Sequence, residues 1–202
     1  MSRILNILLL SVFLILPFCK VIAQTDDQSN GQYQEVYINK SWERLDADKD
    51  GQITEADKKR LWKNLKRFDS NADNQVSFTE YAGQAKAPYL QTGGKRKLNV
   101  LYKVTAEEDL YLDIYYPKTI KEEEKLPVVI YTHGGGWANG SRHGAAGGSF
   151  KKVHSALLEK GFCVVTISYR LWKEGEEVSM RDCVIDSKDA LRYLSKHSEI
   201  LG

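Results

Sequence analysis

The stretch Leu126-Pro-Val-Val-Ile-Tyr-Thr-His-Gly-Gly-Gly-Trp137 decides how the carboxyl-terminal half of the chain is read. An unbroken apolar run, Leu126–Tyr131, passes almost directly into three consecutive glycines. A run with no polar alternation is expected of a strand buried on both faces, as in the centre of a parallel sheet. Glycines placed just after such a strand let the backbone approach another molecule closely. They also free peptide N–H groups to face a developing negative charge.

Outward from this point the same grammar repeats. Gly161–Tyr169 (GFCVVTISY) is a second continuous apolar run, and Leu110, Leu112, Ile114 and Tyr116 alternate as in a half-buried strand. Between the two runs a helix is expected at about 148–159. A second helix is expected at about 180–196, with Val184, Ala190, Leu191 and Leu194 as its apolar positions. Strands alternating with helices predict βαβ crossovers, hence a mostly parallel sheet with flanking helices.

Upstream the chemistry changes. Asp46-Ala-Asp48-Lys-Asp50-Gly51-Gln52-Ile53-Thr54-Glu55-Ala-Asp57 places three carboxylates at alternate positions, where a tight loop can turn them to one centre. Gly51 permits the turn, the Gln52 carbonyl offers another oxygen, Ile53 anchors the loop, and Asp57 closes it. The order recurs in Asp69, Asn71, Asp73, Asn74, Gln75, Val76, Ser77 and Glu80. Trp42 and Leu45 precede the first loop at the same offsets as Leu65 and Phe68 precede the second.

These two loops resemble the EF-hand family over residues 34–84, and the resemblance implies a small all-α unit that binds Ca²⁺. The implied ligands are Asp46, Asp48, Asp50, Gln52 and Asp57 in the first loop. In the second they are Asp69, Asn71, Asp73, Gln75 and Glu80. Asp57 reaches less far than the usual Glu, which weakens the site or favours magnesium. Asn74 takes the place of the turn glycine, at a position where Asn is among the better-tolerated residues. The affinity expected is that of weak extracellular modules, ~10⁻⁴ M, with a structural role for the metal. Ala56, Leu61, Leu65 and Phe68 form one helical stripe. An unbroken helix from Glu55 to Phe68 would span about 20 Å and hold the loops apart.

His133-Gly134-Gly135-Gly136-Trp137 resembles the HGGG oxyanion loop of α/β-hydrolase esterases and lipases. Ile167-Ser168-Tyr169-Arg170-Leu171 and the segment Asp186–Leu194 extend the likeness over 98–202, towards exported esterases related to acetyl-xylan and feruloyl esterases. The resemblance implies that the amides of Gly135 and Gly136 hold the oxyanion and that His133 braces the loop. The family's G-x-S-x-G elbow does not occur in the sequence. Ser141, Ser149 and Ser155 fall in the loop or the following helix, and His143, His154 and His197 are read as surface residues. The expectation is a truncated hydrolase, inactive as it stands, from a longer or broken gene, with an open apolar edge at Val128–Tyr131 or a neighbouring strand.

The start of the chain reads as a secretory signal peptide over 1–23: Arg3, the apolar run Ile4–Phe18, then Val21-Ile22-Ala23. That run is shorter than the roughly 20 residues a membrane span needs, so a secreted or periplasmic location is expected with no stable span after cleavage. Loss of Arg3 and Lys20 leaves the 27 acidic residues balanced by equal basic ones, so no one-signed field favours nucleic acid. A flexible leader is expected at 24–33 and a linker at 85–97. Cys163 and Cys183 are read as small buried residues, with a disulfide as the alternative.

The function expected is that of an exported calcium-binding protein of the carboxylic ester hydrolase family, acting on small-molecule or polysaccharide esters when full length. The alternative is a calcium-dependent, dockerin-like protein-binding module joined to an inactive hydrolase remnant.

Overall fold

The computed structural model describes residues 27–120, 125–175 and 177–198. The signal-peptide reading and the region around Gly202 lie outside the described residues. Two compact units are present, one over Asp26–Pro88 and one from Tyr89 onward. Among the described residues no helix is long and apolar enough to cross a membrane.

In the first unit, α1 (Asp27–Leu45) leads into the first acidic loop and β1 (Gln52–Ile53). Turns then reach α2 (Trp62–Leu65) and a 3-10 turn, Lys66–Phe68. The second acidic loop, β2 (Val76–Ser77) and α3 (Phe78–Gln84) follow. The expected flexible leader is helical from Asp27. Once the turns near Leu45 are nucleated, each further residue adds one hydrogen bond, so the helix propagates back through polar residues.

The unbroken helix that the sequence left open between Glu55 and Phe68 is not found: α2 is short, and Leu61 of the stripe is 47% exposed. What displaces it is the antiparallel pairing of β1 with β2, Ile53 opposite Val76. Both side chains are fully buried, among Leu65, Phe68 and Tyr81, with Trp42 and Leu45 packed alongside. A straight helix would hold the two residues apart and forfeit roughly 1.5–3 kcal/mol of burial for each. The two loops therefore lie side by side.

The second unit carries a four-stranded sheet: β3 (Arg96–Val104), β4 (Asp109–Tyr115), β5 (Val128–Thr132) and β6 (Cys163–Ile167), in the order β3-β4-β6-β5. Only β5 and β6 run parallel; β3 with β4, and β4 with β6, are antiparallel. The mostly parallel sheet expected from the sequence is thus a mixed one among the described residues. A tight turn at Thr105–Glu108 joins β3 to β4 as a hairpin, which needs no crossover helix. The parallel pair is the one that has its crossover helix, α4 (Gly148–Glu159).

Helix α5 (Met180–Lys196) starts at a capping box, in which Ser179 Oγ accepts from Asp182 N while the Asp182 carboxylate accepts from Ser179 N. Ala190 and Leu194 of α5 pack on the sheet face formed by Leu110, Leu112, Ile114, Val128, Ile130, Val165 and Ile167. Val184, expected on that stripe, is exposed, because Cys183 and Asp186 take the buried face instead. On the opposite sheet face, Tyr131 meets Phe150 and His154 of α4. Cys163 and Cys183 are both buried and form no disulfide. Strand β5 borders the sheet among the described residues, with Val128–Tyr131 buried.

Candidate functional site

The glycine loop starts where β5 ends. Gly135 (φ 127°), Gly136 (φ 62°) and Trp137 (φ 66°) all lie at positive φ. The amides of Ala138 and Asn139 donate to the Gly135 carbonyl at 3.3 and 3.1 Å, closing a tight turn. A Cβ on Gly135 would collide with the Asn139 carbonyl, whereas one on Gly136 would meet nothing within 4 Å. Only glycine satisfies the first position; the second requires only the unusual backbone.

The loop is held from the end of β6. Tyr169 stacks on His133 with ring centroids 4.2 Å apart, and its hydroxyl donates to the His133 carbonyl at 2.6 Å. Burial pushes the Tyr169 hydroxyl up to about 12, so it remains a donor at neutral pH. Trp137 packs its ring against the edge of Tyr169 at 6.0 Å and accepts Trp172 N at 2.9 Å. His133 is buried, Gly134–Gly136 are exposed, and the amides of Gly135 and Gly136 donate no hydrogen bond among the described residues. The loop therefore presents two peptide donors on a backbone anchored from one side.

A buried network that the sequence reading missed fixes the next segment. Arg142, in the 3-10 helix Arg142–Ala146, donates from Nε to Asp113 Oδ2 at 3.0 Å and from Nη1 to Ser168 Oγ at 2.9 Å. Its Nη2 donates to Asn99 Oδ1, and Asn99 N donates to Asp113 Oδ1 at 2.9 Å. The available signal was Asp113 itself, a carboxylate inside an apolar strand, where an unpaired charge is too costly to keep. A second network joins Asp186 of α5 to Arg170 (2.8 Å) and Lys103 (2.7 Å). Burial pushes the Asp186 pKa up, but those two cations hold it below the ordinary carboxylate value.

Of the three histidines read as surface residues, His154 is a correction: it is 2% exposed, its Nδ1 lies 3.0 Å from the Ala145 carbonyl, and burial lowers its pKa. Residues 154 and 158 face the sheet at helical spacing, which places this ring inside. His143 and His197 are half-buried. Ser141 Oγ lies 2.9 Å from His143 Nδ1 and also accepts His143 N at 3.1 Å, the arrangement of a helix cap. Ser149 and Ser155 lie on α4.

The acidic loops share one framework of backbone-to-carboxylate hydrogen bonds. Gly51 N donates to Asp46 Oδ2 at 3.1 Å, and Asn74 N to Asp69 Oδ2 at 3.0 Å. Gln52 N and Gln75 N donate to Asp50 and Asp73, each at 2.8 Å. The closing carboxylates each span their loop: Asp57 accepts Ala47 N and Thr54 N, and Glu80 accepts Ser70 N and Ser77 N. The left-handed backbone recurs too, at Lys49 and Gly51 and again at Ala72 and Asn74. Carboxylate oxygens of Asp46, Asp48 and Asp50 lie within 4.8 Å of one another. Asp46 Oδ1 and Asp69 Oδ1 are buried without a hydrogen-bond partner. An all-oxygen donor set with an orphaned buried oxygen in each loop suits a hard divalent cation. The inclusion of the Gln52 and Gln75 carbonyls rests on loop position.

Comparison with known proteins finds likenesses for part of the second unit. Residues 112–202 match the BD-FAE family. The chain is 37% identical over 76 residues to the medium-chain fatty acyl-CoA hydrolase precursor of Anas platyrhynchos, covering 38% of this chain and 12% of that protein. It is 34% identical over 109 residues to a carboxylic ester hydrolase of Bombus ignitus, covering 50% of this chain and 18% of that one. A solved thermophilic esterase from Thermogutta terrifontis, with propionate bound, aligns at a TM-score of 0.44 and 28% identity, covering 52% of this chain and 36% of the other. The chain thus spans less than a fifth of the length of these two curated relatives. Over residues 112–202, less than half of the chain, the likeness is to the BD-FAE family.

Proposed function

We propose that this chain supplies the oxyanion loop of a carboxylic ester hydrolase that is exported and carries a calcium-stabilised module. The observation that carries the first part is the pair of exposed, unshared amides at Gly135 and Gly136, on a loop anchored by His133 and Tyr169. As a hydroxyl attacks an ester carbonyl, the carbonyl oxygen gains negative charge, and these two N–H groups are assigned to receive it. His133 stays a brace: its ring is buried against Tyr169. No residue of the sequence is assigned to the attack itself. Small esters, or acyl groups on polysaccharides, are the proposed substrates.

The test is hydrolysis of p-nitrophenyl acetate by the full gene product. Gly135→Ala, whose Cβ must push the turn aside and so displace the two amides, is expected to lower kcat by up to about 10²–10³-fold, the range seen when one oxyanion donor is lost. An unchanged kcat would remove the glycine loop from the mechanism.

The acidic loops are proposed to hold Ca²⁺ through Asp46, Asp48, Asp50, Asp57 and the Gln52 carbonyl, and through Asp69, Asn71, Asp73, Glu80 and the Gln75 carbonyl. The ion supplies positive charge to carboxylates that otherwise repel, and its proposed role is to stabilise the first unit. Calcium at 100 times its Kd would then stabilise that unit by about 2.7 kcal/mol. A melting temperature unmoved by millimolar calcium would overturn this assignment.

A further inference from the structure

The two acidic loops share a backbone but not their surroundings, and we infer that they fill in order: the first loop takes its cation at lower concentration, and Lys66 and Asn71 hold the second back. This rests on the calcium reading above.

In the first loop, three convergent carboxylates meet at Asp46, Asp48 and Asp50. Asp46 is 6% exposed, and its Oδ1, like Asp69 Oδ1 in the second loop, is buried with no hydrogen-bond partner. A carboxylate oxygen that deep without a donor is costly, and a cation satisfies it.

The second loop has already met part of its own need. Its third position is Asn71, whose amide donates to Asp73 Oδ2 at 3.0 Å, so a ligand-position oxygen is engaged within the loop. Lys66 Nζ donates to Asn74 Oδ1 at 2.7 Å and so stations an ammonium beside the loop. Asp69 is only half-buried, unlike Asp46.

Charge therefore separates the two sites. The first loop offers acids at Asp46, Asp48, Asp50 and Asp57 with Lys49 exposed at its fourth position, and the second offers one acid fewer, at Asp69, Asp73 and Glu80, with Lys66 alongside. Affinity for a hard divalent ion rises with ligand charge. A unit positive charge at roughly 8 Å in water opposes a divalent ion by about fivefold in affinity before salt screening. The longer reach of Glu80 does not restore the balance. The shorter Asp57 already bonds the equivalent second and ninth N–H groups of its own loop, at 2.9 and 2.8 Å against 3.0 and 2.9 Å.

Calorimetric titration of the full chain with calcium chloride is the test, with far-UV circular dichroism to verify that each variant folds. Two binding steps are expected, at least about tenfold apart. Asp48→Asn weakens the tighter step towards the weaker one, and Lys66→Met, at an exposed site, tightens the weaker step about threefold and leaves the tighter one alone. Two equal steps in the wild type, a tighter step unmoved by Asp48→Asn, or a Lys66→Met variant that leaves the weaker step unmoved would overturn the order. A wild-type chain that takes no calcium at either step would instead remove the calcium reading itself.

Discussion

Arg142 Nε stands 3.0 Å from Asp113 Oδ2, and neither side chain is more than 2% exposed. The pair ties the segment after the glycine loop to the middle of β4, with Ser168 and Asn99 as further partners. Removing one member leaves a buried charge with no counter-ion. Asp113→Ala is expected to cost about 3–5 kcal/mol in urea unfolding. Replacing both, Asp113→Leu with Arg142→Met, is expected to cost at least about 1 kcal/mol less than the two single changes added together.

The glycines of the loop should separate by geometry. Gly135→Ala forces a Cβ into the Asn139 carbonyl and must move the turn. Gly136→Ala meets open space and bears only the positive-φ penalty, about 1 kcal/mol. Comparative urea unfolding is expected to rank Gly135→Ala as clearly the more destabilising; equal effects would contradict the turn described.

Acid should loosen the first unit through Glu80. Hydrogen bonds from Ser77 and Ser70 hold its carboxyl at about 2, below the ordinary value of 4.5. A carboxyl depressed on folding contributes stability above its unfolded pKa and loses it as pH falls through the folded one. The contribution is thus present above about pH 4.5 and fades towards pH 2. A carbon-detected NMR titration should find Glu80 near 2 and moved upward in Ser77→Ala, whereas a Glu80 that titrates near 4.5 would contradict the bonding.

Ala72 adopts φ 61°, a left-handed conformation that disfavours any side chain. Ala72→Gly is expected to raise stability by up to about 1 kcal/mol, because relief of the strain exceeds the entropy glycine adds to the unfolded chain. A lowered urea midpoint would count against that backbone.

Much of the second unit was legible from pattern alone. Continuous apolar runs marked β5 and β6, and the helical windows 148–159 and 180–196 match α4 and α5. Strand direction was not legible, because alternation along β4 reads the same beside a parallel or an antiparallel neighbour. Asp113 was passed over and His154 misplaced for a related reason: a polar side chain reads as exposed until its partner, Arg142 or the Ala145 carbonyl, is known. Val184 was assigned inward because Asp186 was not expected to take the buried face with its two cations. In the first unit, the Ala56–Phe68 stripe fitted a helix locally, and only the long-range meeting of Ile53 with Val76 decided against it.

That meeting has a consequence for how the first unit comes apart. The ladder is two residues wide, and each half of the unit contributes one of its two buried aliphatic side chains. A protease nick in the turns at Lys58–Arg60 would leave two pieces, each exposing the side chain that the other had covered. Neither piece can bury its own, so the halves behave as the two sides of a clasp, stable together and unstructured apart.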